Sequence, residues 1–189
     1  MLSSAATFGA ESPGTTPTTR LADFPRYVLA SYSKSDGRGG VYPTQCSYAH
    51  ALVDLTGRGW LGFASMRTVA RFVDPISQQL SLSNADHLTV YNQLFPLTGR
   101  EASSLLCRAS DGAWMQYTTH AYQSTMLSTG IQLVNATTTV AQNFSFAPAP
   151  AMNEPNPTPD NIAVTENANF DAFGNAGLVS QTHRSSHSR

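Results

Sequence analysis

Asp54-Leu55-Thr56-Gly57-Arg58-Gly59-Trp60-Leu61-Gly62-Phe63 is the stretch whose reading decides the fold class. Three glycines within six residues, Gly57, Gly59 and Gly62, alternate with an arginine and with large apolar groups. Glycine takes positive φ without steric cost, so the run reads as a tight turn feeding a strand whose tryptophan, leucine and phenylalanine need burial. In that strand Leu61, Phe63 and Ser65 share one face. Gly62 and Ala64 leave the other face thin, which lets a second backbone come close. Further along, Leu94-Phe95-Pro96-Leu97-Thr98-Gly99-Arg100 ends on another turn of the same kind.

The flanking sequence repeats this grammar. Residues 1–24 are Ser, Thr, Pro, Ala and Gly with little periodicity and read as a flexible leader. Arg26–Ser33 and Val41–Tyr48 have strand composition, and Ser35-Asp36-Gly37-Arg38-Gly39-Gly40 between them carries the Asp-Gly hairpin signal. Ala51–Leu55 is a short strand entering the glycine turn. Thr68–Val73 is extended up to Asp74-Pro75, because a residue before proline is pushed away from helical geometry. Gln78, Leu80 and Leu82 alternate with Gln79, Ser81 and Ser83. Asp86–Phe95 fits both periods and is assigned to a strand, being short and stopped by Pro96.

Strands are expected next at Glu101–Arg108 and Ala113–Tyr122 around the Asp111-Gly112 turn, then at Ile131–Asn135 and Thr137–Phe146. In the last of these Val140, Phe144 and Phe146 oppose Ala141, Asn143 and Ser145, one face dry and one wet. Five prolines make 148–160 a linker. Ile162–Phe170 and Ala176–Gln181 then bracket a final turn, and 183–189 is a polar tail. The sum is an all-β meander of antiparallel hairpins, which can grow strand by strand as repeat architectures do.

Composition agrees. A chain of 189 residues sets a prior of one domain. Charged residues are 12%, about half the usual share. Net charge is −1, so there is no basic field to attract nucleic acid or anionic lipid. Ser and Thr are abundant, and Thr suits a pleated surface. No run approaches the roughly 20 apolar residues of a membrane span. Met1–Pro17 has neither a basic start nor an apolar run, so no classical signal peptide is expected there. Cys46 and Cys107 are too few for a disulfide framework and read as two thiols, with one bridge between them left open.

Several pieces resemble one family. Ser35-Asp36-Gly37-Arg38-Gly39, the Asp54–Phe63 run and Tyr91-Asn92-Gln93-Leu94-Phe95-Pro96-Leu97-Thr98-Gly99-Arg100 are similar to the region ahead of the repeats in rearrangement-hotspot (Rhs) and YD-repeat proteins. The nearest cousins are the B components of insecticidal toxin complexes and related plasmid virulence proteins. Phe170-Asp171-Ala172-Phe173-Gly174-Asn175 resembles a single YD unit, an aromatic-Asp pair ahead of a glycine turn. Order and spacing agree over roughly residues 25–182.

The resemblance implies a slice of a hollow β-shell that encloses or delivers a separate toxic domain and assembles with other segments or subunits of a toxin complex. It implies release as part of that assembly, after a cytoplasmic stage. Its structural motif residues would be Asp54, Gly57, Arg58, Gly59, Trp60, Gly62, Phe63, Tyr91, Gln93, Phe95, Pro96, Gly99, Arg100, Phe170, Asp171, Gly174 and Asn175. It divides the chain into 25–147, resembling the segment ahead of the repeats, and 161–182, the YD-like unit. Family members are longer and carry many repeats. Asp74-Pro75 lacks the glycine and leucine pattern that follows the family's self-cleavage step.

No catalytic or cofactor-binding group is expected. His50, His87 and His120 lack a His or Cys at metal-ligand spacing. No Gly-x-Ser-x-Gly elbow occurs. Asp36, Asp54, Asp111 and Asp171 flank glycine turns and are expected to cap turn amides rather than bind calcium, which needs several oxygens. Arg58 and Arg100 each follow a turn glycine, and their guanidinium groups are expected to bond turn carbonyls or a neighbouring carboxylate. Trp60, Phe63, Phe95, Trp114, Tyr117 and Phe144 read as core. The alternative function is a stand-alone module that binds cell-surface carbohydrate through Trp60 and Trp114. Asn135-Ala136-Thr137 and Asn143-Phe144-Ser145 match the glycosylation acceptor pattern.

Overall fold

The computed structural model describes residues 18–22, 27–35, 37–73, 80–81, 85–148, 150 and 156–185. Its strands are β1 (Thr19–Leu21), β2 (Ser31–Ser35), β3 (Val41–Asp54), β4 (Gly59–Ala70), β5 (Phe72–Val73), β6 (Leu80–Ser81), β7 (Asp86–Tyr91), β8 (Glu101–Cys107), β9 (Trp114–Met126), β10 (Gln132–Ala147), β11 (Asn161–Phe170) and β12 (Ala176–Ser185). All belong to one sheet, every pairing is antiparallel, and no helix occurs among the described residues.

The pairings reduce to a sequential meander. Thr44 faces Ala70, and Val41 faces Val73 in unchanged register, so β5 prolongs β4 along the same side of β3. β6 pairs with β5 as β7 pairs with β4. On the other side of β3, β1 lies opposite Leu52–Asp54 and β2 opposite Val41–Gln45. From β7 to β12 each strand pairs with the next in the chain. Hairpin-by-hairpin growth follows directly from turn residues at short intervals.

Several expected boundaries move. Thr19–Leu21, inside the stretch read as leader, forms β1, and β12 runs through Ser185 into the expected tail. Val41–Tyr48 and Ala51–Leu55 are one strand, because His50 takes φ 52° and bends the chain without breaking the ladder. The strand expected at Arg26–Ser33 is Ser31–Ser35. Ile131–Asn135 and Thr137–Phe146 fuse into the 16-residue β10, where a bulge between Ala136 and Thr138 absorbs the interruption. β7 ends at Tyr91, short of the expected Phe95. Asn92 still bonds across the hairpin, donating to the Arg100 carbonyl and accepting from Gly99, both at 2.8 Å, and 93–95 lie outside the strand. Asp36, the Asp74-Pro75 step and the alternation of Gln78 with Leu82 lie outside the described residues, as does most of 1–24.

The described strands form a single layer. A sheet ordinarily buries one face against a second layer. Here the buried apolar residues are Leu61, Ala113, Trp114 and Phe144, and no large side chain among the described residues is fully enclosed. Trp114 meets Phe144 edge-on with ring centroids 5.6 Å apart and touches Tyr117 at the same distance. Trp60, Phe63 and Tyr48 form a second cluster. Half-exposed faces call for polar residues that still favour strands. The abundant Ser and Thr fill that role in cross-strand pairs such as Ser104 with Thr118 and Thr139 with Thr165.

Candidate functional site

An antiparallel meander returns every second turn to the same rim. The β3–β4, β7–β8, β9–β10 and β11–β12 turns therefore share one end of the sheet. Three of them carry the motif residues named from the sequence, and two of those three interlock.

The lock begins with two irregularities in the ladder. On β3, His50 has positive φ; on β4, Leu61 is an extra residue opposite the Leu52–Val53 step, and Gly62 has φ 87°. That backbone conformation favours glycine, and it turns Leu61 into the core, where it is 4% exposed. Gln93 answers both irregularities. Its side-chain Nε2 donates to the His50 carbonyl at 2.7 Å and to the Gly62 carbonyl at 3.0 Å. One amide thus joins the β3–β4 hairpin to the β7–β8 turn across 43 and 31 residues of sequence.

Charge and ring contacts reinforce the joint. The Asp54 Oδ1 accepts from the Thr56 N–H at 2.6 Å and from its hydroxyl at 2.5 Å. These bonds, the hydroxyl's first, hold the Asp54 carboxyl below the usual carboxylate range. Arg58 sits 3.6 Å from Asp54, donates to the Thr56 hydroxyl at 3.3 Å and lies over the Phe95 ring at 4.5 Å. That cation–π contact contributes about 0.5–1 kcal/mol at an exposed position. Gly57 lies in the β3–β4 turn, while Gly59 and Trp60 open β4, with Trp60 edge-on to Phe63 at 5.3 Å. Tyr91 ends β7 opposite Glu101. The Phe95–Pro96 peptide is cis, and Gly99 donates its N–H to the Asn92 carbonyl. Arg100 enters through its backbone, donating to Leu97 and accepting from Asn92. Phe95 is 54% exposed and is not core.

The third motif turn stands apart from this joint. Phe170 faces Ala176 at its mouth. Asp171 Oδ1 accepts from the N–H groups of Phe173 and Asn175 at 2.8 and 2.9 Å, and Oδ2 from the Asn175 amide at 2.9 Å. The Asn175 bonds lead in lowering the Asp171 carboxyl. Gly174 has φ 87°, and a Cβ there would lie 2.8 Å from the Asn135 side-chain oxygen. The turn is thereby fitted onto β10.

The remaining candidates fall into place singly. Asp111 caps Ala113 and pairs with Arg108, whose guanidinium brings its carboxyl down to about 2. His120 lies 3.5 Å from Glu101 and 3.0 Å from the Thr139 hydroxyl. Cys46 and Cys107 are both free thiols. Trp114 is buried and Trp60 packs in a separate cluster, so the two tryptophans do not form a common platform. Among the described residues no His, Cys, Asp and Glu side chains gather in a metal-binding group, and no helix is long and apolar enough to cross a membrane.

The fold is similar to that of TcdB2-TccC3. The match is to its crystal structure without the hypervariable C-terminal region, with a TM-score of 0.53 and 12% identity. It covers 86% of this chain and 13% of that one, so this chain spans only a small part of the larger protein's length. No family model and no curated protein matches the sequence. The likeness is therefore one of fold, over nearly the whole meander. Weighed in the sequence only as a metal ligand, His50 instead serves through its carbonyl, which is half of the Gln93 joint. A lone histidine in a strand gives no sign of positive φ.

Proposed function

We propose that the chain is a non-enzymatic wall segment of the Rhs/YD-repeat type, part of a β-shell that encloses or delivers a toxin encoded elsewhere and is released with that assembly. The observation that carries this reading is an open single-layer sheet, with unpaired edges among the described strands, whose fold recurs as 13% of a far longer chain. A structure named for two joined components and a hypervariable C-terminal region fits a wall around a separate, variable domain. The prominent carboxylates are engaged structurally: Asp54 and Asp171 are held by their own turns, and Asp111 also by Arg108.

The two edges differ in a way that suits a growing wall. β2 carries Lys34, the chain's one lysine, and edge lysines discourage pairing with further strands. β12 is ten residues long and almost wholly exposed, with Leu178 and Val179 uncovered. It is the edge open to a following hairpin. The rim supports the same reading, for Leu55, Leu94, Phe95, Ile131 and Phe173 stand exposed on its turns.

Amide hydrogen exchange tests the proposal. The β12 amides should exchange fast in the 189-residue chain and become protected when a YD-type β-hairpin is appended after Arg189. Protection of β12 equal to that of β9 in the isolated chain would overturn it.

A further inference from the structure

Among the described residues β12 has one neighbour, β11, so every second residue turns its N–H and C=O away from the sheet. Proteins ordinarily blunt such an edge with lysine, proline, a bulge or a very short strand. β12 has none of these. Its ten residues contain no Lys, Pro, Asp or Glu, pair with β11 without a register shift, and carry their one full charge, Arg184, next to the end. The edge beyond β3 is blunted, for it consists of β1 and β2, of three and five residues, with Lys34 on β2.

Direction and charge decide which strand fits this edge. Antiparallel alternation makes β12 run the same way as β4, β8 and β10, and β2, antiparallel to β3, runs that way as well. The two faces of the sheet differ. Leu88, Leu105, Tyr117 and Ile162 share one cross-strand row, while Thr89, Ser104, Thr118 and Ala163 share the adjacent row on the other face. Copies that keep the same face on the same side can meet at β12 in two ways. A sideways shift sets β12 parallel to β2 of the next copy, against a broken edge, with Arg184 at the same end as Lys34. A half-turn about an axis normal to the sheet sets β12 antiparallel to β12 along its length. That pairing is the more stable per residue and closes as a dimer. One copy's Arg184 then lies towards the other's Ala176 end, roughly 20–30 Å from its own counterpart.

We propose that β12 is a self-pairing edge, through which two copies of this chain join antiparallel about a two-fold axis near Ser180 and Gln181 into one continuous sheet. The partner is a second copy of this chain. The pairing asks only for an uncovered β12. In a wall, a following hairpin would compete for the same edge.

Sedimentation of the full chain over a concentration series tests the pairing. The wild type should pass from monomer to dimer, with β12 amide exchange slowing as the dimer forms. Fast exchange in the dilute monomer is shared with the wall proposal, whereas its concentration dependence belongs to self-pairing alone. Val179 and Gln181 are exposed and lie beside the axis on one face. Val179→Lys with Gln181→Lys, and separately Val179→Glu with Gln181→Glu, surround the axis with like charges and should weaken the dimer about tenfold or more. An equimolar mixture of the two variants should restore it, since lysines then face glutamates. A wild type that stays monomeric while soluble, association as strong in the lysine variant as in the wild type, or a mixture no tighter than either variant would overturn the proposal.

Discussion

Gln93 does the work of two ladder bonds. Positive φ at His50 and the bulge at Gly62 turn two carbonyls out of regular pairing, and a single side-chain amide accepts the task of bonding both. Gln93→Leu keeps the bulk and removes the donors. Leaving shielded carbonyls unbonded costs about 1–3 kcal/mol for each fully buried group, so a loss of about 1–2 kcal/mol is expected at this partly exposed joint. A lower urea midpoint, followed by Trp60 fluorescence, measures it; an unchanged midpoint would show that water replaces the amide freely. Asp111 sets a pH dependence. Its folded value, about 2, lies below the unfolded value of about 3.9. The stability it gives is therefore present above about pH 4 and lost as pH falls toward 2. Asp111→Asn should flatten the melting curve's pH dependence across that interval.

At the scale of the element, β11 and β12 are held by their turn as much as by their ladder. Gly174 meets the Asn135 side chain too closely for a Cβ, and its positive φ strains any other residue. Gly174→Ala should therefore loosen the β11–β12 hairpin from β10 while leaving β3–β9 intact. Faster amide exchange confined to residues 161–185 is the expected result, and uniform acceleration over the sheet would point to global destabilisation instead. Strand identity was legible because turns such as Asp171–Asn175 carry their own chemistry: a carboxylate, an αL glycine and an amide lie within five residues. Strand length was not. The β3 and β10 strands run through positions that read as breaks, since a bulge or one positive-φ residue costs a strand little when both neighbours stay paired.

At the scale of the whole molecule, the described residues form one sheet without a second layer among them. Its few enclosed apolar side chains give less hydrophobic stabilisation than a two-layer domain of this length, so the isolated chain is expected to be marginally stable and to unfold over a broad range. A sharp two-state melt from a soluble monomer would count against this. Association is expected through the rim and the β12 edge. Leu94 and Phe173 are 76% and 86% exposed, so replacing both with serine should reduce light scattering at high concentration without lowering the melting temperature.

What the sequence by itself determined was local. Asp54–Phe63, Tyr91–Arg100 and Phe170–Asn175 specify turns, and the Ser/Thr-rich runs between them specify half-wet strands, because φ preferences and side-chain alternation act over a few residues. Only the tertiary structure decided that two of those turns meet, with Gln93 reaching His50 and Arg58 reaching Phe95. It alone also paired Arg67 with Asp86, 19 residues away in the chain. These outcomes depend on register between strands distant in the chain, and register is fixed when bulges and neighbouring lanes settle together.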